Sequence, residues 1–570
     1  MHTSSCSNRS MTAARRGAAC VLAVLAVAWP CLSCAQSSAP KWSVHEISLT
    51  ASKTYANPYT ETGVTAVFQG PNGLEKTVSG FWDGGTTFKI RFTPTAEGTW
   101  SYKTSSSDAG LGGKTGSLRC AAPVAGRHGF LRIDPKHRAS FVWDDGTRCF
   151  LWGQTYYNII GTALVNDNWK IGVDKSFAYG LNKVRMNVYT FGNITPEKHD
   201  HGYPDVQPYL GDSDHPDHNR LNLPYWRKLD EIVGYLGGKG MIADLILVTP
   251  YNANRAFGDA AQNDRYMRYV ASRYAAFPNV IWCLANEWNY STARGGPHPQ
   301  SQADFNRLGA VLRGDDPWLA EGAFLRPLST HQQTRIDWNF AGATWPTHVI
   351  VQYGVRNRVT RSDDEFKPTS QTKYHHGDQW GNASIVHNRR YNMPVVNDEY
   401  GYIGEVKPIE MTPAQSRRVM WGIATAGGYG SSGDWRLFTD WRPSVTAEWA
   451  DAEQYGDIKR MIDFFTTKKI EYWRMSGHNA LATEGTRVYV LAETGRQYVI
   501  YAAVGGACTV DLAPGMYAVR RYNPRTGDDE TIGEVSGGGP RTFALPDAND
   551  WVVYLNAVSP SNSPPKGRRT

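Results

Sequence analysis

The amino-acid sequence predicts a multidomain chain: an N-terminal β-sandwich, a central (β/α)8 TIM barrel and a C-terminal β-sandwich. Three observations carry this expectation. Short alternating apolar runs broken by Gly, Pro and Asn occupy both ends of the chain. Between them, apolar strand-like runs alternate with helical patterns over roughly 350 residues, about the span of eight βα units. Two of those runs stop abruptly on acids set among aromatics, in PNVIWCLANEWNY (278–290) and MPVVNDEYGY (393–402).

With 570 residues the chain has room for several domains and a large core. Residues 1–35 carry Arg15 and Arg16, then the apolar run Gly17 to Trp29, then Ser33-Cys34-Ala35. That order is the one a secretory signal uses, and the run is too short to span a bilayer. Cleavage is expected after Ala35, giving a secreted or periplasmic product. A lipid anchor on Cys34 is the competing reading, weakened because Cys31 stands three residues before it in place of an aliphatic residue. The segment holds three of the seven net positive charges, leaving +4. So modest a balance gives no case for nucleic acid or membrane surface as a partner. Four cysteines follow the segment, Cys120, Cys149, Cys283 and Cys508, with no metal-site spacing. Cys120 and Cys149 flank a domain junction where a disulfide is possible, and Cys283 reads as a small buried hydrophobe. Twenty Trp and thirty Tyr suit a core and a sugar-stacking cleft alike.

Residues 36–125 contain WSVHEISLT, VTAVFQG, TTFKIRFTP, GTWSYKT and GSLRCAA, the rhythm of an immunoglobulin-like sandwich. A packing or spacer role is preferred there over sugar binding, since no chemistry-bearing cluster occurs. The barrel spans residues 126–478. Its strands are expected at 149–157, 182–190, 241–250, 280–289, 325–332, 348–354, 393–402 and 428–436, the fifth having the weakest pattern. RLNLPYWRKLDEIVGYLGGKG and DRYMRYVASRYAAF supply helical spacing between them. Residues 479–557 return to short runs such as RVYVLAE, QYVIYAAV and DWVVYLN, a second sandwich, and 558–570 form a Pro- and Ser-rich tail expected to be disordered.

Strand ends of a barrel gather reactive groups at one face, so the acids of the fourth and seventh strands would meet at the mouth. Paired carboxylates there suit glycosidic bond cleavage: one protonated to assist the leaving oxygen, the other ionised. The motifs ANEW and NDEYG, in this order, resemble those of the retaining clan A glycoside hydrolases. The succession of immunoglobulin-like domain, barrel and small β-domain resembles the apiosidase-like bacterial family. That resemblance implies Glu287 as acid/base and Glu399 as nucleophile. Strand alternation turns Asp398 and Glu399 to opposite sides, so only one is expected in the mouth, with Asp398 the second choice for nucleophile. The resemblance further implies that Asn286 binds the sugar 2-hydroxyl and that Arg185 keeps the nucleophile ionised. Tyr353 is a candidate donor to the nucleophile and Trp435 a candidate floor of the sugar subsite. His331, Gln352, Tyr156 and Trp288 are further substrate-binding candidates.

The stretch HDHGYPDVQPYLGDSDHPDHNR (199–220) is rich in His and Asp but has neither EF-hand nor His-Glu-x-x-His spacing. It is expected to be a loop walling the cleft, with no metal. The expected activity is hydrolysis of a plant or bacterial glycan by double displacement, without a cofactor. The alternative is a glycan-binding barrel that has lost its chemistry, against which the intact pair of acids stands.

Overall fold

The computed structural model describes residues 37–189, 206–212, 215–249, 257–289, 300–333, 337–352, 376–403, 412–434 and 453–558. The expected signal, the tail from 559, Tyr353 and Trp435 lie outside these residues.

The N-terminal sandwich stacks two sheets. One is built from Ser37–Pro40, Thr115–Ala121, Gly98–Ser105, Thr65–Gln69 and Glu75–Ser79, the other from His45–Thr50, Thr87–Phe92 and Phe81–Gly84. Most of the strands alternate inward apolar with outward polar residues. Phe68, Ile90, Phe92, Trp100 and Leu118 thereby fill the space between the sheets, and the Phe68 and Phe92 rings stack 3.8 Å apart. The domain is tied to the flank of the barrel by buried cations. Arg273, on the helix Ala260–Tyr274, donates to Asp83 of the sandwich and to Asp230 of the helix Leu223–Gly238, and Arg91 reaches Asp230 from the sandwich side at 2.6 Å.

The barrel strands, in order, are Trp152–Thr155, Lys183–Asn187, Ile242–Val248, Val280–Ala285, Leu328–Ser329, Val349–Val351, Val395–Asn397 and Tyr429–Asp434. All neighbours pair in parallel, and the eighth strand pairs with the first. The fifth strand has two residues, and its junction with the sixth is the single bridge His331 to Ile350. Its faint sequence pattern follows from this: a strand so short cannot repeat an apolar period. The observed strands are shorter than the expected spans, and described residues just beyond them, such as Asn286, Glu287, Asp398 and Glu399, lie past the ladder.

Helices flank the strands where local signals start them. Those at Ala260–Tyr274, Gln302–Asp315 and Pro413–Thr425 each open with a capping box, formed by Asp259 with Gln262, Ser301 with Asp304, and Thr412 with Gln415. The first begins four residues before the apolar pattern at Asp264, because Asp259 rather than apolar periodicity sets its start.

The C-terminal sandwich has a six-stranded and a three-stranded sheet with their own apolar core around Val490, Ile500, Val510 and Leu555. It is anchored by Arg417 of the barrel, which donates to Asp457 and, twice, to Asp550, and by Asp378, which accepts from Arg487 and Tyr489. All four cysteines of the described chain are free and buried, so Cys120 and Cys149 do not pair. Cys120 belongs to a sandwich strand, while Cys149 sits beside Asn182 at the barrel floor. Among the described residues no helix is long and apolar enough to cross a membrane.

Candidate active site

The interior of the barrel is polar in two levels. In the second strand, Lys183, Arg185 and Asn187 share one face by the two-residue period. At the lower level Lys183 Nζ lies 2.5 Å from Asp398 Oδ1 and 3.1 Å from Asp244 Oδ2, and the Ser431 hydroxyl donates to Asp398 Oδ1 at 2.7 Å. Burial pushes the Asp398 carboxyl up, but Lys183, Arg185 and the hydrogen bonds outweigh it and bring it to about 2. Asp398 is therefore an ionised counter-charge, engaged by the barrel's own cation. Burial raises Asp244 despite the same lysine.

One level higher, Arg185 spreads its guanidinium over two partners. Nη1 donates to the Tyr157 hydroxyl at 2.6 Å, and Nη2 donates to Asn286 Oδ1. The Tyr157 hydroxyl in turn donates a hydrogen bond to Glu399 Oε2 at 2.7 Å. The chain from Arg185 through Tyr157 orients Glu399 and links it to the guanidinium through the phenol. The seventh strand ends at Asn397, so strict alternation stops there and both acids reach the interior, Asp398 below and Glu399 above.

His331 Nδ1 lies 2.7 Å from Asn286 Oδ1 and 3.2 Å from the backbone nitrogen of Glu287. Burial and the Arg185 charge hold this imidazole well below its usual pKa, so it is neutral. Glu287 itself adopts φ of 45°, a left-handed backbone uncommon for glutamate. Such strain persists where surrounding structure enforces it, typically at functional positions. The Trp288 backbone N–H donates to His331 O, and its ring packs on Phe305 and Phe340, which makes it a wall beneath the turn.

Arg185, Asn286, His331 and Glu399 thus meet in one network, with Glu287 joined through its backbone. Tyr156 contributes a backbone bond to Arg185 O, and Gln352 stands at the end of the sixth strand. Tyr157 was not among the sequence candidates. Its signal was available: Gly153, Thr155 and Tyr157 share a face, and Gly153 lies in register with inward-facing Lys183. Residues 199–205 and 213–214 of the His- and Asp-rich stretch lie outside the described residues. Tyr209–Gly211 and Pro216–Leu221 of that stretch form a hairpin. Among the described residues no cluster of His, Cys, Asp or Glu could hold a metal.

An eight-stranded parallel barrel with carboxylates closing its fourth and seventh strands defines the class, a glycosidase barrel. The model of the apiosidase-like catalytic domain matches residues 135–472, more than half of the chain. The chain therefore belongs to the apiosidase-like catalytic-domain family. Residues 38–107 match DUF5060, a domain of unknown function, and 480–556 match a model named for a collagen-binding domain of a collagenase. A Bacteroides vulgatus ATCC 8482 protein described as a glycoside hydrolase is similar in structure, with TM-score 0.71 and 22% identity over 92% of this chain and 100% of that one. A glycoside hydrolase family 5 structure from the same strain gives TM-score 0.58 and 16% identity over 75% and 94%. At these identities the likeness is one of fold. No curated protein matches the sequence.

Proposed function

We propose that the protein is a secreted glycoside hydrolase that cleaves a plant or bacterial glycan with retention, by double displacement. Glu287 protonates the leaving oxygen while Glu399 attacks the anomeric carbon, and Glu287 then deprotonates the water that releases the sugar. The observation that carries this reading is the 2.7 Å hydrogen bond from Tyr157 to Glu399, backed by Arg185. It orients the carboxylate proposed as nucleophile. Asp398 fits that role less well, being spent on Lys183.

The test is incubation with a panel of plant and bacterial polysaccharides, with products resolved by mass and the first-formed anomer read by proton NMR. A sugar released by the wild type but not by Glu287→Gln, in the anomeric form of the substrate, is the expected result. The opposite anomer would replace double displacement by inversion, and equal release by both proteins would remove Glu287 from its role.

Tyr157→Phe removes the hydrogen bond and leaves the ring. A bond to a charged group contributes about 1.5–3 kcal/mol, so kcat/KM should fall about 10- to 100-fold. Steady-state kinetics beside an unchanged circular dichroism spectrum checks this. Unaltered kinetics would mean Tyr157 is only a packing residue.

A further inference from the structure

Asn187 ends the second barrel strand, two residues beyond Arg185 and on the same inward face. It is 1% exposed, and neither its Oδ1 nor its Nδ2 has a hydrogen-bond partner. A buried carboxamide with both ends unsatisfied is rare in a native fold, because each end loses water and gains nothing. Asn187 has the position to explain this. Lys183 engages the floor and Arg185 the catalytic network, so the next inward residue of the strand lies one pleat nearer the mouth. Asn286 and Glu399 are 2% and 4% exposed, so close cover is a property of the whole mouth rather than of Asn187 alone. Two other strand ends carry buried polar atoms without partners: Thr249 Oγ1 after the third strand and Gln352 Oε1 after the sixth, the latter across the barrel.

We infer that Asn187 is a specificity-determining residue whose carboxamide reads vicinal hydroxyls of a neutral sugar, an inference that rests on the glycosidase reading. The carboxamide offers one acceptor and one donor side by side, and adjacent hydroxyls answer both, one donating to Oδ1 and the other accepting from Nδ2. A sugar carboxylate answers only the donor. Discrimination is strong when a site built to bond a hydroxyl meets a sugar that lacks or misplaces it, because the buried amide is then left unpaired.

The experiment compares the wild type, Asn187→Leu and Asn187→Ala in two readouts. The first is thermal melting of the sugar-free protein. Removing an unsatisfied buried amide should leave Tm unchanged or raise it by about 2 °C. A marked fall in both variants would show that the fold itself uses the amide, and would overturn the inference. The second readout is kcat/KM on the 4-nitrophenyl glycosides of α-L-arabinofuranose, β-D-xylose, β-D-glucose and β-D-galactose. The spread among the four should shrink at least about tenfold in both variants, because they no longer tell hydroxyl patterns apart. A merely structural role would scale all four rates together, and unchanged selectivity beside wild-type turnover would overturn this assignment alone. A wild type that cleaves none of the four, and whose Tm none of the free sugars raises, would fail the glycosidase reading and take this inference with it.

Discussion

Glu399→Ala is expected to lose at least about a thousand-fold in kcat/KM, since removing a nucleophile costs the covalent step itself. Melting should change far less. Glu399 accepts a short hydrogen bond from the Tyr157 phenol, and the buried cations below it are already matched by Asp398 and Asp244. Sodium azide should restore turnover to Glu399→Ala, giving a glycosyl azide of inverted configuration, because the space left by the carboxylate admits a small anion. Glu287→Gln separates the second role. It should be nearly silent on natural glycans, where the leaving oxygen needs a proton, and much less impaired on aryl glycosides whose leaving groups depart as anions. Turnover by Glu399→Ala within a few-fold of wild type, on either substrate, would refute its assignment as nucleophile.

Lys183→Met is expected to be the most damaging single change to stability. The lysine and its two carboxylate partners are each at most 2% exposed. Taking away the cation leaves two buried carboxylates facing one another, with Arg185 Nε 3.8 Å from Asp398 as the remaining compensation. Breaking such a pair typically costs about 3–5 kcal/mol. Denaturant unfolding followed by tryptophan fluorescence would measure it, and the double variant Lys183→Met/Asp244→Leu should recover part of the loss. A midpoint equal to wild type would mean the cluster is electrostatically dispensable.

The same cluster shapes only the lowest part of the acid limb, which two buried histidines begin. Asp398 is held at about 2, below the ordinary carboxylate value, so its contribution is complete above pH 4 and is lost as pH falls towards 2. Burial holds His348 at about 3 and His331 well below its usual value, and both stay neutral in the fold. The unfolded chain protonates them below about pH 6.5, so each lowers stability by about 1.4 kcal/mol per pH unit from there down to its folded pKa. Acid unfolding should therefore begin well above pH 4, and His348→Phe should flatten the upper part of that profile.

The division of the chain into sandwich, barrel and sandwich was legible because each architecture imposes a period. Alternation of two marks the half-buried strands near the termini, and apolar runs spaced by helical patterns mark strands buried on both faces. The two acids were legible for a related reason: Val280 to Ala285 and Val395 to Val396 need only apolar neighbours, so Asn286-Glu287 and Asp398-Glu399 stand out where the runs stop. The fifth strand was faint because it contributes two residues and a bridge to the barrel, too few to repeat a pattern.

Within the site, the sequence by itself determined which residue types end which strands: Arg185 on the second, Asn286 and Glu287 on the fourth, Glu399 on the seventh. Only the tertiary structure decided how they are wired. Residue type alone does not separate Tyr157 from Tyr156, or Asp398 from Glu399, because each pair is adjacent and similar in chemistry; alternation along the first strand favours Tyr157 only once Gly153 is in register with Lys183. The choice is made by residues distant in the chain. Lys183 and Ser431 draw Asp398 down into the floor, and Arg185 presents Tyr157 to Glu399, contacts between strands brought together by closure of the barrel. Charge pairing in a buried interior depends on geometry at a few ångströms, and that geometry belongs to the closed barrel rather than to any one strand.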